Sequence, residues 1–354
     1  MKIIKLIRYL LAPIALVYGL IVRLRNYGYE KNILKSVAFD LPVICVGNLS
    51  VGGTGKTPMV EYLVRLLKDQ YQVGILSRGY RRRSKGFVLA DENSTAHTLG
   101  DEPMQFHWKY PSVALAVEAD RVMAIPELLR ARPETEVVLL DDAFQHRRIR
   151  PSLHILLTTY DRLYCNDYYL PCGDLRDWKG AAKRAELLVV TKCPSDLSLN
   201  EQQQIKSKLK LNTHQSLFFS KIQYLPCYDI FTKEEKDPTT VKNALLISGI
   251  ANNQKVLEYL NDFDFVLTKM PFADHHYFTQ REIEKIIRIY EEMPAPKTII
   301  TTEKDAVRLV LFQEVLQKRE IEIWALPIEM VFLKDGEIFD ERLLQELSSI
   351  NTAT

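Results

Sequence analysis

Several features that would define a specialised class of protein are scarce in this sequence. Only five of the 354 residues are cysteines, and none of them has the C-x-x-C spacing of a zinc site or a redox motif. Charges of the two signs nearly balance, with 47 Lys and Arg against 45 Asp and Glu, so the whole protein has no field that would attract nucleic acid. The composition therefore argues against a disulfide-rich secreted domain and a broad nucleic-acid-binding surface, and it favours a reduced cytosolic compartment.

Long hydrophobic runs are also missing, except for one uncharged stretch over residues 9–22. Basic residues lie on both sides of this stretch: Lys2, Lys5 and Arg8 before it, and Arg23 and Arg25 after it. The stretch is shorter than the ~20 apolar residues that a membrane-spanning helix needs, and it contains Pro13. We therefore expect residues 1–25 to form a helix in the membrane interface, with packing on the protein's own core as the alternative.

The chain is longer than one hydrophobic core usually requires, and its pattern indicates two α/β domains. Short apolar runs alternate with helical patterns, which is typical of largely parallel sheets covered on both faces. The predicted strands are residues 41–46, 72–77, 112–117, 137–140, 153–158, 187–191, 244–248, 263–268, 298–301 and 321–326. A charged, Pro-containing stretch at residues 232–238 interrupts the pattern and indicates a boundary nearby.

A glycine-rich segment follows the first predicted strand and precedes a helix that begins at Lys56 or Thr57. Glycines let backbone N–H groups close around phosphates, the Lys56 ammonium can reach the β and γ oxygens, and the Thr57 hydroxyl can bind Mg²⁺. A strict P-loop has glycine where this chain has Ser50, so the loop is a variant. The predicted phosphate-binding residues are Ser50, Val51, Gly52, Gly53, Thr54, Gly55, Lys56 and Thr57.

Two aspartates end a neighbouring predicted strand, residues 137–140. A P-loop site needs an acidic residue at such a strand end to hold magnesium. Asp141 is the first candidate for the magnesium shell, directly or through water, and Asp142 is the second. Capping of a turn is the alternative for both.

Polar residues near these motifs are candidates for proton transfer. Phosphoryl transfer to a hydroxyl needs a group that receives the hydroxyl proton, and a carboxylate assisted by an imidazole can do this. His146 follows the two aspartates, and Asp101 lies in the segment Gly-Asp-Glu-Pro at residues 100–103. An acidic pair before proline is also typical of a helix start, so that alternative stays open for Asp101.

Two further polar segments fit either a solvated loop or a binding surface. Residues 77–85 concentrate positive charge after a strand, which suits a clamp for a phosphorylated substrate or anionic headgroups. Residues 274–277 read Asp-His-His-Tyr in the second half of the chain and would line a cleft or form a loop.

With these motifs in view, the whole chain resembles the tetraacyldisaccharide 4′-kinases, the lipid A 4′-kinase family of bacteria that make lipopolysaccharide. Six blocks carry the resemblance in order: VGNLSVGGTGKTP (46–58), SRGY (77–80), GDEP (100–103), DDAFQHR (141–147), LPCGDLRD (170–177) and ADHHYF (273–278). The family typically has a small hydroxyl residue where strict P-loops have glycine, and this accounts for Ser50.

The resemblance implies transfer of the ATP γ-phosphate, with Mg²⁺, to the 4′-hydroxyl of an acylated glucosamine disaccharide 1-phosphate, which gives lipid IVA. It places a peripheral or monotopic protein at the cytoplasmic face of the bacterial inner membrane. It implies that Asp101 and His146 form the catalytic pair, with Asp101 receiving the proton, and that Glu102 joins Asp141 as a metal ligand. The implied substrate or phosphate contacts are Arg78, Arg121, Gln145 and His275.

The implied fold class is α/β, with two α/β/α sandwich lobes joined by a two-stranded β linker. The N-terminal lobe is expected to be of the P-loop NTPase type, with a mostly parallel sheet. The expected divisions are an interface helix (1–25), a P-loop kinase domain (26–216), a second α/β domain (217–330) and a C-terminal strand and helix segment (331–354). The linker strands are expected near 217–223 and 321–330.

The rival interpretation is a membrane-associated P-loop ATPase or GTPase that acts as a switch. Thr191 and Lys192 resemble part of a guanine-reading motif, but Pro194 stands where that motif requires aspartate. The sequence therefore gives no support for guanine selectivity.

Overall fold

The computed structural model describes residues 10–250 and 253–351. Residues 1–9 of the expected interface helix, and residues 352–354 of the expected C-terminal segment, lie outside the described residues. The chain divides into two compact units. The first contains the described residues of Met1–Arg78, Ser112–Ile222 and Met330–Thr354, and the second contains those of Gly79–Pro111 and Gln223–Glu329.

All ten predicted strands overlap observed strands. In chain order these are β1 (Val43–Asn48), β2 (Val73–Ser77), β3 (Val88–Leu89), β4 (Ala114–Val117), β5 (Val137–Asp141), β6 (Leu153–Thr159), β7 (Leu187–Thr191), β8 (Ser216–Tyr224), β9 (Cys227–Asp229), β10 (Glu235–Lys236), β11 (Asn243–Ser248), β12 (Val266–Pro271), β13 (Lys297–Thr302), β14 (Ile323–Leu326) and β15 (Ile328–Phe332). The α-helices are Ala12–Glu30, Lys56–Leu67, Ala96–Leu99, Asp101–Lys109, Arg121–Ala131, Leu199–Leu209, Gln254–Leu260, Gln280–Glu292, Glu303–Leu309, Gln313–Lys318 and Gly336–Asn351.

The sheet of the first unit places its strands in the order β15-β8-β7-β6-β1-β5-β2-β4. The strands from β8 to β4 in this order pair in parallel. Every residue of β1 and β5 is buried, as expected for short, uncharged strands in the centre of a parallel sheet. Because the carboxyl ends of parallel strands meet at one edge, the segments that follow β1 and β5 lie side by side.

The sheet of the second unit has the strand order β10-β9-β14-β13-β11-β12. Strands β11 to β14 pair in parallel, whereas β9 and β10 form an antiparallel edge. The helix Gln280–Glu292 buries the face formed by Ile283, Ile286, Ile287 and Tyr290 within this unit's core. The expected fold class, α/β with mostly parallel sheets and a P-loop NTPase-type first unit, is confirmed.

The chain leaves the first unit within β8 and returns to it within β15, and these two strands are neighbours in the sheet. The second predicted linker strand, near 321–330, has the wrong bounds. Ile323–Leu326 within it forms β14 in the sheet of the second unit. The predicted kinase domain also included Gly79–Pro111, which belongs to the second unit. The cause is tertiary: the helix Asp101–Lys109 packs against the helix Glu303–Leu309, about 200 residues later in the chain.

The helix Ala12–Glu30 has two different faces. Its buried residues are small or polar: Ala15, Gly19, Asn26 and Gly28. Its outer surface carries large apolar side chains that are each more than half exposed: Ile14, Leu16, Val17, Leu20, Ile21 and Leu24. Among the helices of the described residues, none combines the length and apolarity needed to cross a bilayer.

Candidate nucleotide-binding and catalytic residues

The phosphate loop connects β1 to the helix Lys56–Leu67 and turns through two glycines. Gly52 has φ +103° and Gly55 has φ +88°, which are values that residues with a side chain rarely adopt. A Cβ atom at Gly52 would meet nothing within 4 Å, so backbone conformation and not lack of space is the reason for glycine at this position. The helix begins at Lys56, one of the two starts predicted from the sequence, and the unpaired N–H groups of a helix N-terminus favour a negatively charged ligand.

Hydrogen bonds from three segments hold this loop in shape. The Asn48 side chain donates to the Thr54 hydroxyl at 2.8 Å, and the Thr191 hydroxyl donates to the Thr54 carbonyl at 2.8 Å. Ser50 is buried and pairs with Leu175 in an isolated antiparallel bridge. Serine is tolerated at this position because the bridge does not need a left-handed backbone, which is the usual reason for glycine.

Asp142, the residue after β5, lies between two cations. Its Oδ2 atom is 3.8 Å from the Lys56 ammonium and accepts a hydrogen bond from Arg176 Nη1 at 3.1 Å. Arg176 Nη2 bonds to the other carboxylate oxygen and to the Asn48 side chain. Burial by itself would raise the pKa of Asp142, but Lys56 and Arg176 hold that pKa below its ordinary value. Asp142 therefore stays ionised and keeps both cations beside the phosphate loop.

Arg176 was missed as a functional residue in the sequence, although it lies in the resemblance block at residues 170–177. Nothing local in that block separates its arginine from a surface residue. Its role is visible only once β1 and β5 place Asn48 and Asp142 side by side.

Asp141 and Arg121 brace the end of β5. The Ser77 hydroxyl donates to Asp141 Oδ2 at 2.9 Å, and Arg121 Nη2 donates to the Asp141 carbonyl at 3.2 Å. Arg121 is only 3% exposed, and burial lowers its pKa while Asp141 and Asp142 act in the opposite direction. The structure thus gives Arg121 a bracing role, and its predicted contact with substrate stays a prediction.

The polar residues after the aspartates lie close to the same loop. Gln145 Nε2 donates to the Asn48 carbonyl at 2.7 Å. Burial, together with the charge of Arg121, lowers the pKa of His146 to about 4, so this imidazole is neutral near pH 7. Within the part of the chain that the structure describes, the buried His146 Nε2 atom has no hydrogen-bond partner.

In the second unit, Asp101 begins the helix Asp101–Lys109 and is 1% exposed. Its Oδ2 atom bonds to His275 Nδ1 at 2.8 Å and lies 3.5 Å from Arg308 Nη1. Its Oδ1 atom has no hydrogen-bond partner among residues 10–250 and 253–351. Gly100 at φ +94° makes this geometry possible, since a Cβ there would lie 2.9 Å from the Tyr80 carbonyl.

Two cations of the helix Glu303–Leu309 complete this group. Lys304 lies 3.2 Å from Glu102 Oε1, and Arg308 is fully buried and bonded to Asp305. Neither residue was predicted from the sequence. The available signal was their i, i+4 spacing directly after β13, which places both side chains on one helix face.

The structure groups the predicted site residues by unit. The phosphate loop, Arg121, Asp141, Asp142, Gln145 and His146 belong to the first unit, together with Arg78, which is exposed at the end of β2. Asp101, Glu102 and His275 belong to the second. The imidazole that bonds to Asp101 is that of His275, whereas the predicted partner, His146, belongs to the other unit.

For the metal, the described part of the chain offers carboxylates but no complete cluster. Thr57, Asp141 and Asp142 share the first unit, and Glu102 belongs to the second. Over the described residues, no group of three or more His, Cys, Asp or Glu side chains is arranged to hold a metal ion.

Comparisons with known proteins cover nearly the whole chain. The family model for Tetraacyldisaccharide-1-P 4′-kinase matches residues 7–348. The tetraacyldisaccharide 4′-kinase of Flavobacterium johnsoniae is 48% identical over 344 residues, which are 96% of this chain and 97% of that protein. The corresponding protein of Bacteroides thetaiotaomicron is 44% identical over 340 residues, which are 92% of this chain and 90% of that protein.

A solved structure also matches this chain over nearly its whole length. The crystal structure of "apo" form LpxK from Aquifex aeolicus in complex with ATP matches with a TM-score of 0.77 and 28% identity, and covers 96% of this chain and 99% of that chain. The predicted family resemblance is therefore confirmed over the full fold. The chain belongs to the tetraacyldisaccharide-1-P 4′-kinase family and is a kinase.

Proposed function

We propose that the protein transfers the γ-phosphoryl group of ATP to the 4′-hydroxyl of tetraacyldisaccharide 1-phosphate and so produces lipid IVA. The observation that carries this proposal is the Asp101 carboxylate, which is buried, bonded to His275 through Oδ2 and without a partner at Oδ1. A buried carboxylate oxygen without a partner is costly, and a role as general base, which needs such an acceptor, accounts for its presence despite that cost.

In the proposed reaction the hydroxyl O–H bond breaks and its proton goes to Asp101 Oδ1. The hydroxyl oxygen forms a bond to the γ-phosphorus, the bond from that phosphorus to the β–γ bridging oxygen breaks, and ADP leaves. The catalytic pair supported by the structure is thus Asp101 with His275, and a catalytic role for His146 stays a prediction.

The phosphate loop, Ser50 to Thr57, would bind the nucleotide. The left-handed glycine turns at Gly52 and Gly55 and the ammonium of Lys56 at the start of the following helix support this assignment. A family relative of this chain was crystallised with ATP.

Mg²⁺ fits the oxygen donors of the first unit, because hard cations prefer carboxylate and hydroxyl ligands. Both oxygens of Asp142 already bond to Arg176, so we assign Asp141 and Thr57 as the principal candidates. Glu102 is paired with Lys304 and stays a secondary candidate. When bound, the ion would neutralise charge on the nucleotide phosphates. Arg78, which is exposed, stays a candidate contact for the phosphate of the lipid.

Incubation with γ-labelled ATP and the disaccharide 1-phosphate tests the reaction. We expect the label to appear in the lipid, in an amount equal to the ADP formed. Label found only as inorganic phosphate would overturn the kinase proposal for this acceptor and would favour a switch protein that hydrolyses nucleotide.

We further propose that the helix Ala12–Glu30 lies on the cytoplasmic face of the inner membrane. Its exposed leucines support this, because each would bury apolar area in the acyl region while the polar backbone stays hydrogen-bonded within the helix. The double variant Leu20→Glu, Leu24→Glu should reduce sedimentation with vesicles of inner-membrane lipids at least about tenfold, since burying one leucine contributes roughly 1.5–3 kcal/mol. Leu199→Glu is the matched control, because Leu199 is equally exposed on another helix. Equal sedimentation of all three proteins would remove the membrane assignment.

A further inference from the structure

The ammonium of Lys304 lies among three acceptors in the second unit. Its Nζ atom is 3.2 Å from Glu102 Oε1, 3.1 Å from Asp274 Oδ1 and 3.1 Å from His275 Nε2. An ammonium has three N–H donors and cannot accept a hydrogen bond. The number of donors therefore equals the number of acceptors, and each N–H group has one partner.

This arrangement determines which ring nitrogen of His275 carries hydrogen. Burial by itself would lower the pKa of Lys304, but Glu102 and Asp274 raise it above its ordinary value, so Lys304 is charged at neutral pH. His275 Nε2 must then accept from Lys304, and the ring hydrogen must lie on Nδ1. Nδ1 is the atom that bonds to Asp101 Oδ2 at 2.8 Å.

We propose that Lys304 is a positioning residue that holds His275 as the neutral Nδ1–H tautomer, so that the imidazole donates to Asp101 and leaves Asp101 Oδ1 for the substrate proton. The inference rests on the proposed function, in which Asp101 is the base. In this state His275 donates from Nδ1 to the Asp101 carboxylate and so orients it. Its other nitrogen, Nε2, already accepts a hydrogen bond from Lys304.

The surroundings of His275 explain what would happen without Lys304. Nε2 also lies 3.8 Å from Asp274 Oδ2 and 3.9 Å from Glu102 Oε1, and both carboxylates favour a proton on that nitrogen. The Tyr80 ring makes a T-shaped contact with the imidazole, with the ring centroids 5.4 Å apart. Removal of the ammonium would thus leave Nε2 facing two carboxylates, which accept hydrogen bonds but do not donate them, so this nitrogen would have a partner only when it carries the ring hydrogen.

Arg308, one helical turn after Lys304, acts on the same carboxylate. Its guanidinium is fully buried, bonded to Asp305 and 3.5 Å from Asp101 Oδ2. The helix Glu303–Leu309 therefore contributes one cation that faces the imidazole and one that faces the base. Both act on the Oδ2 side of Asp101, Arg308 directly and Lys304 through His275, and Oδ1 has no hydrogen-bond partner in the described part of the chain.

The test uses the full-length protein labelled with ¹⁵N-histidine, in which long-range ¹H–¹⁵N correlation distinguishes the two tautomers. His275→Gln identifies the signals of His275. We expect wild type to show a protonated Nδ1 and a bare Nε2, and Lys304→Met to show a protonated Nε2. In the same variant kcat should fall about 10- to 100-fold, while KM for ATP changes less than about threefold. Lys304→Arg should restore the tautomer and most of the turnover.

Two controls separate positioning from loss of stability. Lys285→Met removes an exposed lysine of the same unit and should change neither readout. Leu316→Ala destabilises the core of the same unit and should leave the tautomer at Nδ1–H. A wild-type ring protonated at Nε2, or a Lys304→Met variant that keeps both its tautomer and its turnover, would overturn the proposal.

The tautomer is measured without substrate, so the outcome is distinct from failure of the proposed function. If no label enters the lipid while the Nδ1–H tautomer depends on Lys304, the kinase proposal fails and the role of Lys304 in setting the tautomer stands. If the lipid is labelled and Lys304→Met behaves like Lys285→Met, the positioning role fails and the kinase proposal stands.

Discussion

The two units hold their principal aspartates in opposite ways. In the first unit, Asp142 has both carboxylate oxygens bonded to Arg176, and one of them also faces Lys56. In the second unit, Asp101 is bonded through one oxygen only, and its Oδ1 atom has no partner in the described part of the chain. A carboxylate bonded on both sides organises cations, whereas one with an open oxygen can receive a proton.

The histidines of the two units also differ in how many of their ring nitrogens have hydrogen-bond partners. Both ring nitrogens of His275 have partners, Asp101 at one side and Lys304 at the other. His146 has a buried Nε2 without a partner among the described residues, and its pKa is lowered to about 4. Asp101 bonds to His275 and not to His146, although His146 is nearer in the sequence. Nearness in the sequence therefore does not predict which histidine pairs with this aspartate.

The largest expected effect is that of Asp101→Asn, which removes the basic carboxylate but keeps the size of the side chain. We expect kcat to fall about 10³-fold, within the range for loss of a general base, while the dissociation constant for ATP changes less than about threefold. Turnover with the lipid acceptor and calorimetric ATP binding measure the two quantities. Equal losses in both would mean that Asp101, like Asp142, organises the nucleotide site, and the contrast between the units would disappear.

A smaller effect of a different kind is expected from Asp142→Asn. Arg176 and Lys56 would lose their common counter-charge, so we expect ATP binding to weaken about tenfold and the free energy of unfolding to fall by about 1.5–3 kcal/mol. ATP titration and urea unfolding measure these changes. Asp69→Asn, at an exposed aspartate, serves as the control and should match wild type. An Asp142→Asn protein with normal ATP affinity and a 10³-fold loss of kcat would reverse the roles of the two aspartates.

The smallest effect concerns His146 and the pH dependence of stability. Its pKa is lowered from 6.5 to about 4 in the folded protein, so the unfolded chain binds the proton more tightly. The contribution of this residue is therefore fully present above about pH 6.5 and is lost as the pH falls toward 4. His146→Gln should reduce the loss of unfolding free energy between pH 7 and pH 5 by about 1–2 kcal/mol, measured by urea denaturation. An unchanged difference would mean that His146 has the same protonation in both states.

The sequence predicted the features that depend on nearby residues. The buried strands β1 and β5, the helix start at Lys56 and the glycine turns at Gly52 and Gly55 follow from burial pattern and backbone sterics within a dozen residues. These features define the P-loop unit, and they were confirmed.

Features that depend on distant residues could not be predicted in this way. Asp101 bonds to a histidine 174 positions away, and no local pattern reports such a contact. The sequence pattern also predicts that Gly79–Pro111 continues the P-loop domain. Its assignment to the second unit depends on packing against the helix Glu303–Leu309, which the sequence does not reveal. Lys304 and Arg308 look like ordinary surface cations in a helical segment until that packing is known.

Neither unit is one continuous stretch of chain, since each is assembled from separate segments. A ribosome adds about 5–20 residues per second, so Arg308 emerges roughly 10–40 s after Asp101. Until His275 emerges, Asp101 has neither its imidazole nor its buried counter-charge, and until Arg308 emerges it still lacks the counter-charge. A truncated messenger that ends before β12 would therefore yield a chain that contains the phosphate-loop segment but lacks both His275 and Arg308, and a nascent chain acquires these partners of Asp101 only late in its synthesis.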